Sequence, residues 1–489
     1  MAQLVNTSLY TGIQKLHIIV HRVRINVKNV EKIDYITKGR DNTLYTKKDL
    51  LRLFFPALTE QFLSTAIGVV NTMMVSGLGA FAVSAVGIVD SINFVVMNLF
   101  VAVSTGATVT IAQHLGASNK EDASKTAAQA ITAVFIMSAI AGLGLYIFGN
   151  QIINFLFGDA EKIVKSAART YMICSAISYP ILGLFDVCTG ILRASNNFRA
   201  SMFAVVASNL VNFLVGALLI FVFDFGVLGA GIGLICARLV GAVIVWYSLC
   251  KSHHVDILHS SFKITSKILK PVLYIGLPAG IDSLVFNGGK LLVQTIVASL
   301  GTAALAANSI ASSTNSLLNI PGNAITIVAV TVVGHYAGAG LKEELNKIIK
   351  KLMLYAMLLL GSVSLIFFPF VHHFLKLYSP APDVASLALQ ITYLTLICIP
   401  VFWPAAFLLP ACLRSTRDVV FITVVSILSM WVVRVFGGYM LVRFTGLGLM
   451  GIWGAWCFDW VTRGIPFLRR VTARRYEKYL PQTNNEVPD

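Results

Sequence analysis

Between residues 50 and 468 the chain alternates long apolar stretches with short polar ones. Twelve stretches stand out, at about 50–75, 82–113, 125–147, 166–191, 200–223, 228–250, 268–298, 304–336, 347–371, 384–413, 419–442 and 447–468. A hydrocarbon core about 30 Å thick is crossed by roughly 20 apolar residues in a helix. Each stretch has that length and is too long for a barrel strand. Helices also satisfy their own backbone groups within lipid. The pattern predicts an all-α, polytopic membrane protein of twelve transmembrane helices.

The stretches repeat. "LFFPALTEQF" at 53 resembles "IGLPAGIDSL" at 275, so Pro56 pairs with Pro278 and Glu60 with Asp282, both 222 residues apart. The same offset relates "LGAFAVSA" at 78 to "LGTAALAA" at 300, and "AQHLGASNKED" at 112 to "GHYAGAGLKEE" at 334. "GILRASNNF" at 190 matches "ACLRSTRDV" at 411, and "GVLGAGIG" at 226 echoes "GLGLMGIWG" at 446, with offsets of 221 and 220. Such a period marks a duplication. Six helices per copy is an even number, so both copies enter from the same side. Two six-helix lobes related by a pseudo-two-fold axis along the membrane normal follow. The chain divides into a basic tail (1–48), an N-terminal lobe (49–250), a polar linker (251–270), a C-terminal lobe (271–470) and a tail (471–489).

Composition agrees with this reading: 56% of residues are hydrophobic and 12% charged, against about 45–50% and 25% in soluble proteins. The net charge of +16 does not point to nucleic acid, because about 30 of the 38 Lys and Arg fall on one side of the predicted helices. Lys and Arg gather on the cytoplasmic side, which places both termini there in a multi-pass cell-membrane protein. Anionic lipid headgroups are a secondary partner for these charges. The seven cysteines lie in or at the ends of apolar helices without metal or redox spacing. No catalytic constellation, metal site or phosphate-cradling loop is visible, so neither an enzyme nor direct ATP use is expected.

Ionisable groups inside a membrane span face a cavity or a partner. The candidates are Glu60, Asp90, Asp186, Arg238, Asp282, Lys290, Arg434 and Asp459. On the first helix Glu60, Ser64 and Asn71 lie within about 40° of one another and form a polar stripe. Glu60 is either a titratable group facing the cleft or a carboxylate pinned to a neighbouring helix. Asp282 and Asn287 lie on the seventh helix with Lys290, which is about 12 Å from Asp282 along the axis. Lys290 is therefore expected to meet a carboxylate across the interior, such as Asp90. Asn209 and Asn212 on the fifth helix either line the cavity or bridge helices. Pro56, Pro278, Pro400 and Pro404 are candidate hinges, the last two in a tenth helix that also holds Pro410.

The proline-bearing first helix, the "SGLGAFAVSAVG" turn, the "GAS" and "GAG" loops and "GILRAS" together resemble the multidrug and toxic compound extrusion (MATE) family over roughly residues 50–470. The resemblance implies alternating access by two lobes and cation-coupled antiport. A monomer would export small amphipathic or cationic organic compounds against inward H⁺ or Na⁺, with no other cofactor. The chain departs from the family at its usual coupling carboxylates. Asn71 stands where many prokaryotic members have Asp, Gly216 where the fifth helix has Asp, and Phe286 where the seventh has Glu. A tenth-helix Asp is replaced near Trp403. A flippase for lipid-linked saccharides is the alternative, kept open by Lys290, Arg238 and Arg434.

Overall fold

The computed structural model describes residues 44–158 and 160–480. Most of the basic N-terminal tail and the last nine residues lie outside this range. The described chain is helical, with no strand. The N-lobe contains α1 (Lys47–Ser76), α2 (Ala80–Gly116), α3 (Lys120–Leu156), α4 (Lys162–Ala194), α5 (Phe198–Ala217) and α6 (Gly226–Cys250). The C-lobe contains α7 (Ser266–Ala298), α8a (Thr302–Leu318), α8b (Ile320–Gly338), α9 (Lys342–Phe367), α10a (Pro382–Trp403), α10b (Leu409–Ser415), α11a (Val419–Leu428), α11b (Gly438–Thr445) and α12 (Gly448–Thr472). Among the described residues, eleven helical segments are long and apolar enough to cross a membrane. α12 completes the twelve; Asp459, Arg463, Arg469 and Arg470 lower its hydropathy.

Several expected single rods are interrupted. The eighth span is broken at Asn319, which ends α8a, with Pro321 in the first turn of α8b. Proline has no N–H and fits a first helical turn, so Pro321 starts a helix instead of kinking one. The tenth span passes through a π-helical segment at Pro404–Leu408, and the eleventh through another at Ser429–Gly437. By contrast α1 and α7 run unbroken through Pro56 and Pro278. The linker is shorter than expected because α7 begins at Ser266. It lies along α3: Asp256 N donates to Ser124 Oγ at 2.9 Å and Thr265 N to Gln129 Oε1 at 2.9 Å.

The duplication extends to the backbone. Gly79 and Gly301, 222 residues apart, have φ of 105° and 99°. Left-handed positions recur in the same way as the pairs Ser118/Gly340, Asn196/Arg417, Asp224/Gly446 and Gly226/Gly448. The last pair sets the offset near residue 226 at 222, two more than the letters suggest.

One apolar core runs through the N-lobe from Val75 and takes in Val255 and Ile257 of the linker and Val272 at the start of α7, and another runs within the C-lobe from Val293 to Trp460. The lobes meet toward the basic end, where α2 packs on α7 and α8b, and α1 packs on α8b. The seam is close. A Cβ on Gly106 would strike the Val272 carbonyl oxygen, one on Gly276 the Ala102 carbonyl oxygen, and one on Gly338 the Gln113 carbonyl oxygen. Small residues allow such approach of helices in lipid. Polar links reinforce it. Gln113 Nε2 donates to the Ser415 carbonyl at 2.8 Å, and Arg417 Nε donates to Gln113 Oε1 at 2.8 Å. Toward the other end these helices turn to their own lobes: Ala82, Ala85 and Val89 join the N-lobe core, and Val293 and Val297 the C-lobe core.

Candidate functional site

Glu60 is 3% exposed and faces the interior of the N-lobe. Its Oε1 accepts from Arg193 Nη2, on the last turn of α4, and its Oε2 from Ser201 Oγ on α5 at 2.9 Å. Arg193 Nε also reaches Ser201 Oγ at 3.3 Å. Three helices are thus tied by one charged triad. The Arg193 carbonyl accepts from Thr331 Oγ1 of α8b at 3.3 Å, which joins the triad to the seam. The C-lobe repeats the pair in weaker form: Arg414 Nη2 donates to Asp282 Oδ2 at 3.2 Å. The repeated P-x-x-x-[ED] of the first helices therefore has its partner in the repeated "LRAS" and "LRST". Arg193 and Arg414 were not singled out from the sequence. Their shared offset with Glu60 and Asp282 was the available signal.

Beside the triad lies a cavity of about 330 Å³ between α1, α2, α4 and α5. Glu60, Ser64, Asp186, Arg193 and Asn209 contribute to its wall, with Ser104, Thr108 and Thr189. Four buried polar atoms there have no hydrogen-bond partner among the described residues: Asp186 Oδ2, Asn209 Nδ2, Ser104 Oγ and Thr189 Oγ1. Buried polar atoms without partners are costly, and here they border one space large enough for a cation or part of an organic molecule. The structure thus brings together Glu60, Ser64, Asp186 and Asn209 from the sequence-based candidates.

The others lie elsewhere. Asn71 Oδ1 accepts from Asn212 Nδ2 at 3.2 Å, a bridge between α1 and α5. Asp90 belongs to a second N-lobe cluster, in which Asn93 Nδ2 approaches Asp90 Oδ1 at 3.4 Å and Tyr179 donates to Asn93 Oδ1 at 2.5 Å. Arg238 Nη1 donates to Ser178 Oγ there. Asn287 Nδ2 bonds its own helix at Ser283 O, 2.7 Å away. The expected Lys290–Asp90 pair does not form. Lys290 lies in the C-lobe, its Nζ 5.0 Å from the Phe286 ring centroid. The two residues belong to different lobes, and the seam that joins these lobes lies nearer the basic end than either.

The model of the family described as MatE matches the chain twice, over residues 56–218 and 278–440. The chain belongs to the MatE family. The two matched segments coincide with the two repeats. Among its relatives, the Thermotoga maritima "Probable multidrug resistance protein NorM" is 26% identical over 451 residues, covering 91% of this chain and 96% of the relative. The "Multidrug export protein MepA" of Staphylococcus saprophyticus is 24% identical over 345 residues, covering 70% and 75%. A solved multidrug-resistance MATE transporter in an outward-facing conformation superposes with a TM-score of 0.81 at 20% identity, covering 89% of this chain and 97% of that one.

In this MatE transporter Gly216, where a carboxylate was expected from the family pattern, sits beside Met74. A Cβ there would come within 2.9 Å of Met74 Cε, and a Cβ on Gly233 of α6 would sit 3.0 Å from Gly216 Cα. The crossing of α5 and α6 is close at Gly233, and a side chain at 216 requires the flexible end of Met74 to move. At the seventh-helix position, Phe286 is surrounded by the cations Lys290, Arg434 and Arg463.

Proposed function

We propose that this MatE transporter exports amphipathic, cationic organic compounds by cation-coupled antiport, and that Asp186 is the coupling carboxylate. The observation that carries this reading is the unpartnered Asp186 Oδ2 on the N-lobe cavity. Glu60 already has a charged partner; Asp186 has none within ion-pair distance among the described residues. A carboxylate in a membrane interior favours anything that removes its charge. A proton, a Na⁺ ion and the ammonium of a substrate all do so, and one carboxylate accepts one of them at a time. Their competition is the basis of exchange: cargo leaves when the driving cation arrives.

In this scheme the seam is the closed cytoplasmic gate and the described conformation faces outward. The basic loops and the glycine contacts at that end support this orientation. The Arg193 carbonyl bond to Thr331 couples the cavity wall to the gate. The test is efflux of ethidium from proteoliposomes under a pH gradient or a Na⁺ gradient imposed separately. One gradient should drive export by the wild type, and Asp186→Asn should abolish that driven component while the protein remains folded. Gradient-driven export by Asp186→Asn at the wild-type rate overturns the assignment.

A further inference from the structure

The C-lobe interior carries the opposite charge. Asp459, fully buried on α12, accepts from Arg434 Nη2 at 2.6 Å, from Arg463 Nη2 at 2.5 Å and from Ser429 Oγ at 2.6 Å. Both of its oxygens are occupied. One carboxylate thus serves two guanidinium groups, and Lys290 adds a third cation on which both arginines act electrostatically. The cluster holds two positive charges more than it neutralises. Arg434 and Arg463 against the single Asp459 leave one of these charges buried, and buried charge is expensive unless something pairs with it.

Arg434 shows where the missing partner belongs. It is 1% exposed, yet its Nε and Nη1 have no acceptor among the described residues. Its guanidinium carbon lies 4.5 Å from the Trp456 ring centroid and 5.1 Å from that of Phe286. Ring faces attract the cation but are only weak acceptors for the in-plane N–H groups. Nε and Nη1 lie on different edges of the guanidinium, on either side of the Nη2 that Asp459 holds, so each can give an N–H to one anionic oxygen. Lys290 is exposed, and Phe286 and Trp456 are only half-buried, so the cluster has an open side. The π-helical segment Ser429–Gly437 supplies both Ser429 and Arg434. Such segments concentrate at functional sites.

We infer that Arg434, Lys290 and the rings of Phe286 and Trp456 form an anion-binding site for an organic carboxylate with a flat apolar body. One carboxylate oxygen meets a free N–H of Arg434 and the other the ammonium of Lys290, while the body packs against the edges of Phe286 and Trp456, whose faces Lys290, Arg434, Arg463 and Trp453 cover. The site shares no residue with the N-lobe cavity, and the inference does not rest on the coupling scheme.

The test is titration of the purified full-length protein with 2-naphthoate, read by tryptophan fluorescence. 2-Naphthylmethanol serves as the uncharged match. Naphthoate should bind saturably and at least about tenfold more tightly than the alcohol, the range of a hydrogen bond to a charged group. Arg434→Met should weaken naphthoate by a similar factor. It leaves Asp459 paired with Arg463. Lys290→Met should weaken it several-fold; Lys290 makes no hydrogen bond or ion pair among the described residues, so this variant is informative if Arg434→Met does not fold. Equal binding of acid and alcohol overturns the inference, as do absence of saturable naphthoate binding and naphthoate affinity unchanged in both variants.

Discussion

The Glu60–Arg193–Ser201 triad can be weighed by a double-mutant cycle. Glu60 and Arg193 side chains are 4% and 22% exposed. Removing one partner of a buried pair costs about 3–5 kcal/mol, and the partial exposure of Arg193 brings the figure to about 2–3 kcal/mol. Glu60→Gln and Arg193→Met should each destabilise by about that amount. The double variant should fall short of their sum by about 1–2 kcal/mol, because the second substitution no longer strands a charge. The equivalent C-lobe pair is a single 3.2 Å contact with side chains 20% and 18% exposed. Asp282→Asn and Arg414→Met should therefore couple by less than about 1 kcal/mol. SDS titration of the purified proteins in mixed micelles, followed by helicity, measures the wild type, the four single variants and the two double variants. Additive N-lobe substitutions, or stronger coupling in the C-lobe, would refute the idea that this triad is the main tie among α1, α4 and α5.

Further outcomes are expected elsewhere. Gly106→Ala places a methyl group against the Val272 carbonyl oxygen, so the distance between spin labels at positions 120 and 342 in a cysteine-free background should lengthen; an unchanged distance would show that the seam yields locally. Asn71→Leu removes the bridge to Asn212 and should cost about 0.6 kcal/mol, near the mean for helix–helix hydrogen bonds in membranes, in the same SDS assay. Gly216→Asp pushes on the end of Met74 and should destabilise by about 1–3 kcal/mol through overpacking in the same SDS assay; unchanged stability would show that Met74 swings aside.

Much of the architecture was legible because helix length and a fixed repeat offset are local properties of the letters. Of the repeated φ > 0 joints, only Gly79/Gly301 and Gly226/Gly448 carry glycine in both copies. What stayed hidden depends on residues distant in sequence. Glu60 was visible as a buried charge on a polar stripe, but its partner Arg193 is 133 residues away in a segment that read as a loop edge. Lys290 was assigned an anion in the wrong lobe because helical spacing gives depth along one axis and says nothing about neighbours. The π-helical segment at Ser429–Gly437 has no proline to announce it; it forms where Ser429 and Arg434 converge on Asp459. Asp186 drew no more weight than Asp90, and only the cavity beside it separates them.

The repeated joints at Gly79/Gly301 and Asn196/Arg417 mark two copies of one scaffold, yet the copies hold opposite charges. A two-fold assembly of identical chains can have no dipole perpendicular to its axis, since rotation would reverse it. Joining the copies in one polypeptide lifts that restriction. The N-lobe presents Asp186, whose Oδ2 has no hydrogen-bond partner among the described residues, and the C-lobe presents Arg434 and Lys290. The single chain therefore carries a transverse electric field directed from the C-lobe toward the N-lobe, which turns a molecule with separated positive and negative ends to one preferred heading before it makes contact.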